Sequence, residues 1–326
     1  MNPSARALAD LCRAAGRRVP QWTQGTGGNI SVKDEDGALW IKASGLRLDQ
    51  VGARGGLEGT ACVRLAAFTA GLDDVGRAQD SEQAYASLLT ACTVPGEGLG
   101  RPSMETGFHA LLPGRWVMHL HSLAALLMVY ESVRDPVRFE AFWSAATPLR
   151  HSVLRAVRPG WLLMEQVRAL PPSEVVLLEN HGVILQAEDG EGGLGAWHAI
   201  ERAFFAAYGY TQLLAWDGLT AEELARLIAP EAPLRLFFPD TAVFLDRLRD
   251  VLGPAGTRGG EALFQLAPRA FPELAGRERD VGEIWLSQLL LLSARPELSE
   301  LPDSIASTVA SLPVEQFRRA IHGGTP

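Results

Sequence analysis

Residues 115–130, RWVMHLHSLAALLMVY, are apolar apart from an opening arginine, two histidines and one serine. The first part, RWVMHLHS, reads as a buried strand. Period-two alternation places Val117, His119 and His121 on one face and Trp116, Met118 and Leu120 on the other. Ser122 then caps the apolar helix LAALLMVY. Same-face residues along a strand lie about 7 Å apart, close enough for two imidazoles to bind one ion. HxH pairs also arise by chance, so the pair needs support from elsewhere in the chain.

That support comes from two places. Upstream, RPSMETGFH places Glu105 just inside an expected helix start, with Ser103 as its N-cap. By position alone Glu105 reads rather as a surface residue that complements the helix dipole. His109 follows one turn later on the same face, either as a support to the site or as a satisfied buried histidine. Downstream, SEVVLLENHGVILQAED reads as strand, tight turn and strand, with His181 at the turn, where a side chain is well placed to reach a cleft. Three histidines and one carboxylate suggest a catalytic divalent-metal site.

The bulk properties narrow the function classes. A formal charge of −8 and the absence of any basic tract argue against nucleic acid or an anionic membrane as the main partner. Three scattered cysteines, Cys12, Cys62 and Cys92, show no CxxC spacing, which excludes a disulfide scaffold and fits a reducing compartment. The N-terminus lacks an apolar signal-peptide core, and no run of 18 apolar residues occurs. A soluble, cytoplasmic protein is expected.

Along the chain, Ser4 to Arg18 reads as an amphipathic helix. QGTGGNISVKDEDGALWIKASG then gives a glycine-rich turn and a hairpin. Glycines there let backbone N–H groups approach an anion, with Thr26, Asn29 and Ser44 as further donors. The same stretch is compatible with a plain hairpin and a loop, and it is no dinucleotide fingerprint because no helix follows the glycines. CVRLAAF suggests a strand, Asp80 to Ala91 a helix, Asp135 to Val157 and Trp161 to Leu170 two helices, and Glu191 to Leu214 another. His151 and His198 are read as structural. From Trp216 the character changes to a helix at Thr220–Ile228, a strand pair around LRLFFPDTAVFL, and Gly- and Pro-punctuated helices, with no metal-ligand spacing.

GTGGNIS, a strand ending in SG, PSMET, HLH and ENHG occur here in that order, and together they resemble the class II aldolase/adducin family over roughly Leu8 to Leu214. The resemblance implies an α/β fold, a three-layer α/β/α sandwich around a mixed, largely antiparallel sheet. Residues 1–215 would form the catalytic domain and 216–326 a C-terminal α+β extension. It also implies zinc, or manganese or cobalt, held by His119, His121 and His181. Glu105 would be the catalytic acid/base, and Gly28, Asn29, Ser44, Gly45 and Ser103 the phosphate-binding positions. A homotetramer is implied as well.

The wording LWIKASG followed by RPSMETGFHALLP is similar to the aldolase half of bifunctional rhamnulose-phosphate aldolase/dehydrogenase proteins, although this chain is too short to hold their dehydrogenase half. Met104 stands where simple sugar-phosphate aldolases often carry a second serine, which removes a phosphate donor. The family's tyrosine from a neighbouring subunit has no clear counterpart, Tyr130 being the nearest. The expected function is therefore a metal-dependent lyase that cleaves or forms a C–C bond in a small hydroxy-ketone or ketose phosphate through a metal-stabilised enediolate. Epimerase, decarboxylase and dehydratase chemistry use the same constellation. An adducin-like interaction module is the reading from another class, and retention of all three histidines and the glutamate weighs against it.

Overall fold

The computed structural model describes residues 2–18, 21–53, 55–98, 100–213, 235–244 and 276–311. Eight strands form one sheet in the order β4-β3-β2-β1-β5-β8-β7-β6. They are β1 (Asn29–Lys33), β2 (Ala38–Lys42), β3 (Thr60–Arg64), β4 (Thr93–Gly98), β5 (Trp116–Leu120), β6 (His151–Leu154), β7 (Val175–Leu178) and β8 (Gly182–Ala187). Every neighbouring pair is antiparallel except β6 with β7. The sheet is thus mixed and largely antiparallel, as the resemblance implied.

Local chemistry explains the elements that matter most. The β1–β2 hairpin turns at Asp34, whose Oδ1 accepts from the backbone N–H of Asp36 at 3.1 Å and of Ala38 at 2.8 Å. The antiparallel register then pairs Val32 with Trp40. The first helix, α1 (Pro3–Gly16), starts where the Asn2 side chain accepts from the N–H groups of Ser4 and Ala5. Ser122 caps α5 (Leu123–Arg134) by accepting from Ala125 N–H at 3.4 Å.

Two apolar layers flank the sheet. One holds Trp116, Met118 and Leu120 of β5 against α1, α5, α6 (Pro136–Ala146) and α8 (Gly190–Tyr208). The other holds Val117 against α2 (Leu65–Arg77), α3 (Ser81–Cys92), α4 (Thr106–Leu111) and α7 (Trp161–Arg168). The alternation along β5 is the one its sequence dictates.

The helix Gly276–Ala294 joins the first layer, with Ile284, Trp285, Leu290 and Leu291 buried in the same core. Phe237, Phe238 and Phe244 bury there too, flanking a short helix, Pro239–Val243. Fully burying an apolar side chain contributes about 1.5–3 kcal/mol, so these residues fasten the late part of the chain to the sheet domain.

Four local readings are corrected. LAAF belongs to α2, because the strand ends at Arg64 and the apolar spacing then turns helical at Phe68, Leu72 and Val75. The helix expected across Asp135–Val157 stops at Ala146, and His151–Leu154 instead forms a strand paired in parallel with β7. In place of a strand pair, residues 239–243 form a helical turn, with Pro239 at its first position. Ser103 lies outside the helix it was expected to cap. The helix begins at Thr106, and the Ser103 hydroxyl instead accepts from Glu105 N–H at 3.2 Å. The helix expected at Thr220–Ile228 lies outside the described residues.

Candidate metal centre

Strand order brings the histidines together. β5 is hydrogen-bonded to β1 on one side and β8 on the other, pairing His119 with both Asn29 and Ile184. His119 and His121 therefore project from the end of β5 toward the turn that precedes β8, where His181 sits. The three imidazole centroids form a near-equilateral triangle with sides of 4.7, 5.0 and 5.1 Å. One ligand atom from each lies within 4.8 Å of the others, and all three residues are buried.

The turn at His181 depends on its neighbours. Asn180 adopts a left-handed conformation, φ 54°, which asparagine tolerates better than most residues. Gly182 is needed for a different reason: a Cβ there would sit 2.1 Å from the Leu120 carbonyl oxygen and 2.9 Å from His121 Cα. Gly27 is needed for a third reason, since its Cβ would lie 2.5 Å from His121 Nδ1. The glycine-rich loop thus lets the backbone pass close beside a histidine ring, as well as shaping a pocket.

Glu105 faces the triangle. Its Oε2 lies 3.6 Å from His119 Nε2 and its Oε1 lies 3.4 Å from His181 Nε2. Asn29 Nδ2 donates to Oε2 at 2.7 Å. With the amide nitrogen turned to the carboxylate, the Asn29 carbonyl accepts from His109 Nε2–H, and Ser31 Oγ pairs with His109 Nδ1 at 2.7 Å. His109 is therefore fully buried and satisfied, and it fixes the orientation of Asn29.

Protonation states follow from burial and charge. Burial alone would raise the Glu105 pKa. The three histidines, His119 foremost, and the Asn29 hydrogen bond outweigh it and bring the carboxyl down to about 2. Burial pulls His181 and His109 each down to about 3 and also lowers His119, in His181 and His119 against the attraction of Glu105. At neutral pH His109, His119 and His181 are therefore uncharged beside an ionised carboxylate.

These residues fit a divalent cation. Glu105 Oε1 is buried and makes no hydrogen bond, although a carboxylate oxygen with neither a hydrogen-bond donor nor a counter-charge is costly. His119 Nδ1 lies 3.0 Å from the Val183 carbonyl, so Nδ1 carries the proton and the Nε2 lone pair points into the triangle, 3.3 Å from His181 Nε2. Three imidazoles converging beside a bare carboxylate oxygen fit a divalent ion with positions left open for a substrate.

The pocket in front of this centre contains all five positions assigned to phosphate: Gly28, Asn29, Ser44, Gly45 and Ser103. Asn29 turns its amide toward Glu105 and His109. In the same glycine-rich loop, Gly25 N–H donates to Glu283 Oε2 at 2.8 Å, so that cradle donor already serves an internal carboxylate. Met104 lines the pocket as well. Tyr130 is elsewhere, donating to Glu297 at 3.0 Å. His151 packs on Trp143 with centroids 4.3 Å apart, and His198 lies 3.0 Å from an Arg18 guanidinium nitrogen, so both serve packing away from the centre.

Sequence reasoning missed two charged pocket residues. Lys42 is buried at the end of β2 and lines the pocket, donating to the Thr26 carbonyl at 3.2 Å. Its inward direction follows from strand alternation, so this signal was available. Asp240 also lines the pocket and sits against His121 Nδ1. It is separated from that histidine by 119 positions, and no local pattern marks it.

The chain is similar to several known proteins. The chain is 28% identical over 193 residues to "Uncharacterized oxidoreductase YuxG" of Bacillus subtilis (strain 168), covering 54% of this chain and 25% of that protein. The match thus spans about a quarter of that relative's length. Among solved structures, it is similar to the N-terminal class II aldolase domain of a conserved protein from Thermoplasma acidophilum, at 23% identity and TM-score 0.49, covering 63% of this chain and 93% of that one. It is also similar to YgbL, a putative aldolase/epimerase/decarboxylase from Klebsiella pneumoniae, at 17% identity and TM-score 0.46, covering 63% and 88%. A sugar-phosphate aldolase from Thermotoga maritima matches at 16% identity and TM-score 0.45, covering 64% and 95%. The family model for the Class II Aldolase and Adducin N-terminal domain matches residues 6–208, more than half of the chain, and the chain belongs to that family.

Proposed function

We propose that this protein is a divalent-metal-dependent lyase of class II aldolase type, acting on a small hydroxy-ketone or ketose phosphate. The observation that supports the reading is the buried Glu105 carboxylate, whose Oε1 makes no hydrogen bond and whose two oxygens each face one histidine nitrogen. His119, His121 and His181 would hold the ion, with zinc the natural choice for three imidazoles and manganese or cobalt as substitutes. When bound, the ion supplies Lewis-acid polarisation of a substrate carbonyl.

The chain's own residues account for the remaining work. Glu105, ionised at neutral pH, accepts the proton that leaves the substrate hydroxyl or carbon and returns it later in the cycle. Asn29 holds that carboxylate in place through its 2.7 Å hydrogen bond. Ser44, Gly45 and Ser103 line the outer pocket and bind the distal end of the substrate, with Lys42 adding a cation for an anionic group. Met104 takes the place of a further donor there, which favours a substrate with a smaller or differently disposed anionic end. The same residues would serve an epimerase, a decarboxylase or a dehydratase.

The reading extends to a catalytic domain at residues 1–215, a homotetramer, and a cytoplasmic role in carbohydrate metabolism. Among the described residues no helix is long and apolar enough to cross a membrane. The test is to measure divalent metal in the purified chain and in His119→Ala, and to screen ketose phosphates and free hydroxy-ketones for C–C cleavage with zinc, manganese or cobalt. Stoichiometric metal lost in His119→Ala, with turnover of one substrate class, is expected. Equal metal content and activity in the two proteins would sink the reading.

A further inference from the structure

Each histidine that offers Nε2 to a metal must carry its proton on Nδ1, and something must accept that proton. For His119 the acceptor is the Val183 carbonyl of the neighbouring strand. His121 lies one residue past the end of β5, beyond the reach of the strand pairing, and its Nδ1 meets the carboxylate Oδ2 of Asp240. Asp240 is 1% exposed and stands on the Pro239–Val243 helix, far outside the region matched by the family model.

We propose that Asp240 is a positioning residue for the metal centre: it accepts the His121 Nδ1 proton and so presents His121 Nε2 to the ion. This rests on the metal reading above and adds a part for the late segment of the chain. Three further contacts favour it. Phe237, Phe238 and Phe244, all nearly inaccessible, anchor the segment on either side of Asp240. The Asn180 amide donates to the carbonyls of Phe237 at 3.1 Å and Ser299 at 2.8 Å, so the same segment braces the turn that carries His181. Gly27 leaves space on the other side, since a Cβ there would lie 2.9 Å from Asp240 Oδ2. The segment thus reaches two of the three histidines, and the glycine loop is shaped to admit it.

Two measurements on the full chain decide the matter. Zinc affinity is read by chelator competition in wild type, Asp240→Asn, Asp240→Ala and His119→Ala. The histidine tautomers of the metal-free chain are read at pH 8 by nitrogen-15 NMR with labelled histidine. Loss of such a supporting carboxylate typically weakens a metal site about 10–100-fold. That loss is expected for Asp240→Ala, with a smaller one for Asp240→Asn, whose amide oxygen can still accept. His121 of the wild type should show the Nδ1–H form, and Asp240→Ala should lose it.

Wild-type zinc affinity in a folded Asp240→Ala overturns the proposal while leaving the metal reading intact. So does a wild-type His121 found in the Nε2–H form, a result that needs no variant to fold. A wild type that binds zinc no better than His119→Ala removes the metal reading, and this role of Asp240 with it.

Discussion

His119 lies on strand β5 and His121 one residue past its end, whereas Asp240 reaches the same site from 119 positions away. The two regions are built on different physics. In the sheet domain, pleat and register do the placing: once β5 pairs with β1 and β8 the face of His119 is fixed, and His121 follows one residue past the end of the strand. The late segment is held by tertiary anchors, namely buried phenylalanines and a buried charge cluster. There, Arg47 Nη2 donates to Glu283 Oε1 at 2.5 Å, Arg47 Nη1 pairs with Asp280, and Arg279 donates to both Glu283 and Asp49 at 2.9 Å. Geometry intrinsic to the backbone leaves a motif in the sequence, and long-range anchoring does not.

The largest expected effect lies in the first region. Glu105→Gln keeps the shape and the three histidines but removes the proton acceptor, so turnover should fall about 10²–10⁴-fold with the metal retained. Steady-state kinetics alongside metal analysis check this. A variant that loses its metal together with its activity would instead make Glu105 a ligand in the working enzyme. The counterpart in the second region is Arg47→Met. It leaves Asp280 and Glu283 buried without their guanidinium, and breaking a buried pair in this way costs about 3–5 kcal/mol. Denaturant titration should show that loss, and the triple variant with Asp280→Asn and Glu283→Gln should recover part of it. An unchanged midpoint in Arg47→Met would mean that the phenylalanines alone hold the segment.

The contrast also explains what could be read from the sequence. The strand faces of Val117 and His119, the hairpin at Asp34–Gly37 and the turn at Asn180–Gly182 all follow from periods and turn chemistry within a few residues. Glu105 was legible as a residue but not in its state. Opposing effects of burial and neighbouring histidines set that state, and their balance depends on distances that only the fold supplies. His109 looked like a filler histidine because its partners, Ser31 and Asn29, lie on another element. The strand at His151 was masked by a helical pattern that ran past Ala146, since strand β6 is short and only its last residue is fully buried. Asp240 had no local signal at all. The apolar run LRLFFPDTAVFL around it suggests a strand pair, whereas Pro239–Val243 forms a short helix.

Acid should separate the two regions. The neutral histidines His109 and His181 sit at about 3 in the folded chain and near 6.5 when unfolded. Their contribution is complete above about pH 6.5 and is lost as pH falls toward 3, because the unfolded state binds the extra protons. Glu105 adds a loss that begins only below about 4.5 and runs through about 2. In the Arg47–Asp280–Glu283 charge cluster, burial raises the Glu283 pKa despite Arg47, so acid does not act there in the same direction. The melting temperature of the metal-free chain should therefore drop between pH 7 and 5. His181→Ala should flatten that slope, while Glu283→Gln should not flatten it. A slope that persists in His181→Ala and vanishes in Glu283→Gln would place the acid sensitivity in the charge cluster.

The smallest effect tests how far the sheet domain's support of Glu105 extends. Ser31 Oγ–H donates to His109 Nδ1, His109 Nε2–H donates to the Asn29 carbonyl, and the Asn29 amide donates to Glu105. The amide at the third step carries no titratable proton toward the carboxylate, so the chain transmits orientation and not charge. Ser31→Ala removes only the outermost donor, and its cost should be that of one buried hydrogen bond, about 1 kcal/mol. Turnover should stay within about 3-fold of wild type, since at room temperature about 1.4 kcal/mol is needed for a factor of ten. Calorimetry and kinetics on the one variant read both quantities. A loss of turnover approaching that of Glu105→Gln would mean that protons pass through His109, which would make the inner face of the sheet a conduit and not a brace.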